Sequence, residues 1–214
     1  NQFARWKRAE TSTEPVEIVL LDEARNAEKN KSLERKIWHY KAKNVRDFAF
    51  GSSRKFIWDA MKIVVAGKSI MCMSYYPKEA YGLYRKFSTK VVAHTIRTYS
   101  KYTVDYPYPV AISVEAANGM EYPMICFNGG RTEKDGTYSE GTKYGMLGVV
   151  IHEVGHNFFP MIINSDERQW TWMDEGLNTF VQYLTQEEFD NNYPSPRGPA
   201  HKIVDYMSLP KEQL

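Results

Sequence analysis

The sequence has few cysteines, no long apolar run and little net charge. Its two cysteines, Cys72 and Cys126, lie in apolar, strand-like runs. Buried free thiols are therefore expected, while a disulfide between them stays open. No apolar run approaches the length of a membrane span, because residues 145–151 form a short run that ends at His152. We therefore expect no membrane span.

Signals for export are also missing. No signal peptide is visible, but the first residue is Asn1 rather than Met, so this absence says little about export. The compartment stays open, and an exported or periplasmic location is favoured over a cytoplasmic one.

Neither sign of charge dominates the chain. The formal net charge is only +2, and acidic charge interrupts the basic cluster at residues 29–46, as is typical of a solvated face. No phosphate-tracking stripe or recognition motif accompanies these charges, so we expect no nucleic-acid partner. The hydrophobic fraction is 43% over 214 residues, which allows a core to form without disulfides or metals as staples.

The pattern of apolar residues predicts an α+β fold in two parts. Up to residue 76 the pattern is mainly that of β structure, rich in aromatic and β-branched residues. From Pro77 onward, helical periodicity predominates. Strands are predicted at 16–21, 37–40, 45–50, 56–63, 69–76, 110–114 and 122–127, and helices at 22–31, 78–99, 144–158, 171–189 and near 203–207.

The segment His152-Glu153-Val154-Gly155-His156 lies within the helix predicted at 144–158. Residues four apart share one face of a helix, so the two imidazoles can bind one ion. Glu153 follows the first histidine directly, which places its carboxylate beside the ion, where it suits a general base acting on water. Two imidazoles, one carboxylate and an open fourth position favour Zn²⁺.

The third metal ligand is expected from the next helix, which offers Asp174 and Glu175. Glu175 lies 175 − 156 = 19 positions after His156, which leaves 18 residues for a helix end, a loop and a returning helix. Gly155 and Gly176 would allow the two helix backbones to approach closely. Burying three polar side chains without partners would cost about 1–3 kcal/mol each, and a bound metal removes that cost.

Three segments together resemble the aminopeptidase N-like family of gluzincin zinc metallopeptidases. They are His152-Glu153-Val154-Gly155-His156, then Trp172-Met173-Asp174-Glu175-Gly176, similar to the family's Trp-x-x-Glu-Gly helix start, and Gly119-Met120-Glu121-Tyr122-Pro123, similar to the family's Gly-x-Met-Glu-Asn strand. The resemblance implies that residues 1–76 are the C-terminal part of a β-rich domain. Residues 77–214 would be the N-terminal part of a thermolysin-like catalytic domain.

The resemblance also implies residue roles. His152, His156 and Glu175 would bind one Zn²⁺ ion, and Glu153 would be the general base. The implied function is a zinc-dependent aminopeptidase that hydrolyses N-terminal residues from peptides, with water activated by zinc and Glu153.

A second set of roles concerns the substrate. By the resemblance, Glu121 binds the free α-amine of a peptide, with Gly119 and Met120 as neighbouring substrate-binding residues. A carboxylate on an exposed edge strand is suited to this, because it pairs with an ammonium group and fixes the distance to the first peptide bond.

Two departures from the family pattern stand out. Tyr122 occupies the position where the family commonly has Asn. The family also stabilises the oxyanion with a tyrosine well downstream of the third ligand, and after Glu175 this chain has Tyr183, Tyr193 and Tyr206, all too close in sequence. We therefore expect a fragment that can be inactive by itself, with the remainder of the catalytic domain and a helical C-terminal domain elsewhere in the native chain.

Two other functions remain open. One is an endopeptidase of the thermolysin type, which would not need Glu121. The other is a catalytically silent, zinc-containing binding module, against which Glu153 argues because a structural site needs no base. The preferred N-terminal residue and the oligomeric state stay open as well.

Overall fold

A computed structural model describes residues 1–194, residue 205 and residues 208–213. Five α-helices lie in this part of the chain: α1 (Gln2–Ala9), α2 (Leu21–Lys29), α3 (Tyr81–Tyr102), α4 (Glu140–Gly155) and α5 (Leu177–Phe189). Short 3-10 turns lie at Lys78–Ala80 and Lys211–Gln213, and wider helical turns at Asn157–Ile162 and Trp172–Gly176. The strands are β1 (Val16–Val19), β2 (Ile57–Val65), β3 (Lys68–Tyr76), β4 (Val110–Glu115), β5 (Met120–Tyr122) and β6 (Ile125–Asn128).

All six of these strands form one mixed sheet in the order β1-β2-β3-β4-β6-β5. The pairs β3–β4 and β4–β6 are parallel, and the other pairs are antiparallel. The predicted α+β class is confirmed. The sheet includes strands on both sides of residue 77, where a domain boundary is predicted, and that boundary stays a prediction.

The main core lies between the sheet and the helices α3, α4 and α5. Tyr76, Tyr84 and Ile96 are fully buried there, and so is Leu147 from α4. The parallel pair β3–β4 is joined through α3, the crossover helix that such a connection requires. Because α4 and α5 pack beside α3 on this face, the core determines how α4 and α5 lie against each other.

A smaller apolar cluster covers part of the opposite face of the sheet. Ala9 of α1 packs there with Ile18 and Ala60, and the indole rings of Trp6 and Trp58 lie 5.2 Å apart. α1 was not predicted from the sequence, because its apolar face is short. It begins at Asn1, whose side chain accepts a hydrogen bond from the Ala4 amide.

The two cysteines are free and buried, as expected. The strands predicted at 37–40 and 45–50 were wrong, because this described segment runs as loop without a strand partner. Ile37 is 98% exposed and Trp38 72% exposed, so their apolar character reflects no buried strand. The helix predicted near 203–207 lies outside the described residues except for residue 205. None of the helices in the described part of the chain has the length and apolar character needed to cross a bilayer.

Asp59 is a fully buried carboxylate on β2, far in sequence from the metal-binding motif. Its Oδ2 accepts a 2.6 Å hydrogen bond from the Tyr76 hydroxyl, and Arg85 Nε lies 3.9 Å from its Oδ1. Burial raises the pKa of Asp59 from 3.8 to about 6, although the Tyr76 hydrogen bond and the Arg85 charge act in the opposite direction.

This raised pKa predicts a loss of stability as pH rises. Between pH 4 and 6 the folded chain holds a proton that the unfolded chain has released, so ionisation of Asp59 destabilises the fold. We compare the free energy of unfolding of Asp59→Asn with that of the unsubstituted chain. The difference should change by about 2 kcal/mol in favour of the variant between pH 4 and pH 7. Urea unfolding at both pH values measures this difference. Asp22→Asn, at an exposed carboxylate on α2, is the control, and a difference for Asp59→Asn that does not change with pH would contradict the prediction.

Candidate metal centre

The two histidines of the predicted motif lie at the C-terminal end of α4. Ser139 caps the start of this helix by accepting a hydrogen bond from the Thr142 amide, and the helix ends at Gly155. His152 and His156 are one turn apart, and their Nε2 atoms face each other at 3.0 Å. His156 is 1% exposed and the His152 side chain is 23% exposed, so the pair extends from the core toward the surface.

Glu175 reaches the same point from the turn at Trp172–Gly176, which leads directly into α5. Its Oε2 lies 3.1 Å from Nε2 of His152 and 3.7 Å from Nε2 of His156. The structure therefore brings the three predicted metal ligands together, with one ligand atom of each within 4.8 Å of the others. Their role as ligands stays a prediction.

The other nitrogen of each imidazole has an oxygen partner. Nδ1 of His152 lies 2.9 Å from Oε1 of Gln182, whose amide nitrogen donates to the Gly148 carbonyl. Nδ1 of His156 lies 2.7 Å from the Phe159 carbonyl and 2.8 Å from Oδ1 of Asp174. Since carbonyl and carboxylate oxygens only accept, both Nδ1 atoms must carry the hydrogen.

This hydrogen-bonding pattern fits a cation. With hydrogen on Nδ1, each neutral imidazole presents a bare lone pair at Nε2, and both lone pairs face each other and the Glu175 carboxylate. Three electron-pair donors at this separation repel unless a positive charge lies among them. Without a metal a proton must serve. Burial alone would lower the pKa of His156, but the Asp174 hydrogen bond, the charges of Glu121 and Asp174 and the hydrogen bond to the Phe159 carbonyl raise it to about 9.

Glu153 lies beside this point rather than on it. Its side chain is 6% exposed, and its Oε2 has no hydrogen-bond partner among the described residues. Burial raises the pKa of Glu153 to about 8; the charge of His156 opposes this, and the nearby Glu121 adds to it. A cation at the histidines would favour the ionised form that a general base needs.

Glu121 lies on β5, the edge strand of the sheet, as predicted. Ligand atoms of Glu121, Glu153 and His156 all lie within 4.8 Å of one another. Gly119 precedes this strand, and a Cβ there would clash with Oε1 of Glu153 and lie 3.2 Å from the Val149 side chain. Only glycine leaves room at this position for Glu153 in its present place.

Sequence reasoning missed the partners that hold the imidazole rings. Gln182 follows Glu175 by seven positions, two helical turns, so a polar residue at that spacing was a usable signal. Asp174 was considered only as an alternative ligand, whereas the structure places it against Nδ1 of His156. The Phe159 carbonyl carries no signal in the sequence, because its position depends on how the chain turns after α4.

Two of the three tyrosines after Glu175, Tyr183 and Tyr193, lie in the described residues. Tyr193 donates its hydroxyl to the Tyr144 carbonyl at 2.9 Å, and Tyr183 is buried. Tyr206 lies outside the described residues. Tyr122 packs its ring edge-on against Phe127 with the centroids 6.0 Å apart.

Two plant aminopeptidases are similar in sequence to this chain. Aminopeptidase M1-A of Oryza sativa subsp. japonica is 28% identical over 111 residues. Aminopeptidase M1 of Arabidopsis thaliana is 30% identical over 109 residues. The predicted resemblance to the aminopeptidase N-like family is confirmed. The matches cover 49% and 48% of this chain but only 13% and 12% of the respective relatives, so the chain spans a small part of their length.

A solved structure gives a more distant likeness. The crystal structure of an M1 zinc metallopeptidase from Deinococcus radiodurans aligns with a TM-score of 0.44 and 15% identity, over 62% of this chain and 29% of that chain. No protein-family model matches the sequence.

The contact between Gln182 and His152 gives a prediction about metal affinity. Gln182→Ala leaves the Nδ1 hydrogen of His152 without its acceptor and frees the ring to turn, so zinc should bind about 10- to 100-fold more weakly. Competition with a chromophoric chelator measures the dissociation constant. Gln186→Ala, one turn further along α5 and near Tyr193, is the matched control and should bind as the unsubstituted protein does. Equal losses in both variants would contradict a specific role for Gln182.

Proposed function

We propose that this chain carries the zinc-binding part of an aminopeptidase active site. The observation that supports this most is the convergence of two Nε2 atoms and one carboxylate oxygen beside two further carboxylates, Glu153 and Glu121. The similarity to two plant aminopeptidases supports the same function.

The donor set supports zinc as the metal. Two imidazoles, each held by a hydrogen bond at its far nitrogen, and one carboxylate are the ligand types of catalytic zinc sites, where a fourth position stays open. Zinc, when bound, supplies a Lewis acid that acidifies water and polarises a carbonyl. His152, His156 and Glu175 would hold it.

Glu153 would carry out the proton transfers of peptide hydrolysis. Glu153, buried and with one oxygen unpartnered in the described residues, accepts a proton from the attacking water. It later returns that proton to the departing amine. Oε1 of Glu153 occupies the space that a Cβ at position 119 would need, so Gly119 leaves room for the base.

Glu121 supports the choice of an aminopeptidase over an endopeptidase. Glu121 lies on β5, which is the edge strand of the sheet in the part of the chain that the structure describes, and its carboxylate lies close to that of Glu153. Two neighbouring carboxylates attract a cation, and the ammonium group of a peptide N-terminus meets that need. The substrate is therefore a peptide with a free α-amine.

The remaining parts of the active site are proposed to lie outside residues 1–214. The relatives are far longer than the segment they share with this chain. We place the oxyanion donor, the remainder of the catalytic domain and a helical C-terminal domain there, with an exported or periplasmic location for the whole protein.

Glu153→Gln tests the proposed base. We expect the full-length protein to keep its zinc and to lose about 10²- to 10⁴-fold in kcat on aminoacyl-anilide substrates, because glutamine cannot accept the proton. Elemental analysis and steady-state kinetics measure both quantities. Glu140→Gln, at the exposed start of the same helix, is the control. Unchanged activity in Glu153→Gln would exclude Glu153 as the base, and a zinc-loaded protein without any peptidase activity would favour the silent binding module.

Glu121→Gln tests the choice of substrate. Loss of a charged partner for the α-amine should lower kcat/KM for free peptides by about 10- to 100-fold. Peptides with an acetylated N-terminus, which carry no ammonium group, should be hydrolysed poorly by both proteins and no worse by the variant. If Glu121→Gln leaves peptide hydrolysis unchanged, and acetylated peptides are cleaved as well as free ones, the protein is an endopeptidase.

A further inference from the structure

The proposed zinc ligands lie at the C-terminal end of α4 and in the turn that leads into α5, and a third helix, α3, packs where α4 and α5 meet. The closest approach is at Gly155, which lies between the two histidines on α4. A Cβ at this position would clash with the Tyr99 hydroxyl of α3 and with Oδ1 of Asn178 on α5. Side chains from two other helices therefore fill the space left by this glycine.

Tyr99 and Asn178 are both fully buried and hydrogen-bonded to each other. The Tyr99 hydroxyl lies 2.7 Å from Oδ1 of Asn178 and 3.0 Å from the Asn178 carbonyl oxygen, to which it can also donate. Burial raises the pKa of Tyr99 well above its ordinary value, so the hydroxyl stays a donor. The ring of Tyr99 packs against Phe158 with the centroids 5.2 Å apart, which holds the hydroxyl in place.

Asn178 continues the connection to α4. Its Nδ2 donates to the His152 carbonyl at 3.0 Å, and the same carbonyl accepts the backbone hydrogen bond from the His156 amide. Asn178 is thus hydrogen-bonded to the His152 carbonyl oxygen, the same atom that accepts from the His156 amide. It also follows Glu175 by three positions, which places the two residues on neighbouring turns.

We propose that Tyr99 and Asn178 are positioning residues: their hydrogen bonds at Gly155 lock α5 against α4 and so fix Glu175 relative to the two histidines. Neither residue would touch the zinc or the substrate. These hydrogen bonds of Tyr99 and Asn178 are called the lock below. The proposed role of the lock rests on the proposed zinc site, because it requires that those three side chains bind one ion. A metal site tolerates little error in ligand placement, so loosening the helix contact should weaken and distort the site.

The test compares three variants of the full-length protein. Tyr99→Phe removes only the hydroxyl, and Asn178→Ala removes both side-chain bonds. Tyr84→Phe is the matched control, since Tyr84 lies on the same helix, is fully buried and donates its hydroxyl to the Asn128 carbonyl at 2.9 Å. Each protein is measured for thermal unfolding without metal, for zinc dissociation constant by chelator competition, and for the visible spectrum of its cobalt-substituted form.

We expect zinc to bind about 10-fold more weakly to Tyr99→Phe and about 10- to 100-fold more weakly to Asn178→Ala, each with shifted cobalt bands. Tyr84→Phe should lose thermal stability while keeping both the zinc affinity and the cobalt spectrum. If Asn178→Ala does not fold, Tyr99→Phe decides the outcome alone.

The results separate the lock from the site on which it rests. Unsubstituted protein that binds one zinc, with variants that match its affinity and cobalt spectrum, would overturn the lock and leave the zinc site standing. A change in Tyr84→Phe equal to that in Tyr99→Phe would also overturn it, since the effect would then be one of general stability. Failure of the unsubstituted protein to bind zinc would contradict the proposed function itself, and the lock with it.

Discussion

Three side-chain atoms that can each donate an electron pair to a metal meet at one point in this structure. Nε2 of His152, Nε2 of His156 and Oε2 of Glu175 face one another at 3.0–3.7 Å, while the far nitrogens of both rings are committed to oxygen acceptors. Such an arrangement is repulsive unless a cation is shared by all three donors. The packing of the helices around this point serves to hold that arrangement in place.

The carboxylates around the three proposed ligands add to the repulsion at this point. Asp174, Glu121 and Glu153 lie near the histidines together with Glu175, so carboxylates outnumber the basic groups that face them. The raised pKa values of Glu153 and His156 express the cost of keeping carboxylates ionised in a buried place without a cation. A divalent ion at the histidines and an ammonium group at Glu121 would each remove part of that cost. The proposed metal binding and the proposed recognition of a free N-terminus would thus have one electrostatic origin.

The sequence was informative where periodicity and spacing carry the signal. His152 and His156 share a helix, so their meeting follows from helical geometry alone, and the α+β class follows from the change in apolar period near Pro77. The position of Glu175 beside the histidines could be predicted because its distance along the chain allows a helix to return. The exact closeness of α4 and α5 at Gly155 could only be suspected, because it depends on Tyr99, which comes from a helix more than fifty positions earlier in the chain.

Other features could not be predicted because they depend on long-range packing. The loop containing Ile37 and Trp38 has the composition of a strand, but a strand needs a partner, and none of the described strands pairs with this loop. The carbonyl of Phe159 is used by His156, and no sequence pattern marks a backbone acceptor. Likewise, Asp59 has a raised pKa because of burial beside Tyr76, a neighbour that the β2–β3 register supplies.

X-ray absorption at the zinc edge of the full-length protein tests the proposed site most directly. The structure predicts one zinc per chain with two imidazole nitrogens and oxygen ligands at about 2.0–2.2 Å, and loss of stoichiometric zinc in His156→Ala. Absence of stoichiometric zinc from the unsubstituted protein, sulfur in the first coordination sphere, or full retention of zinc in His156→Ala would contradict a metal centre built from His152, His156 and Glu175.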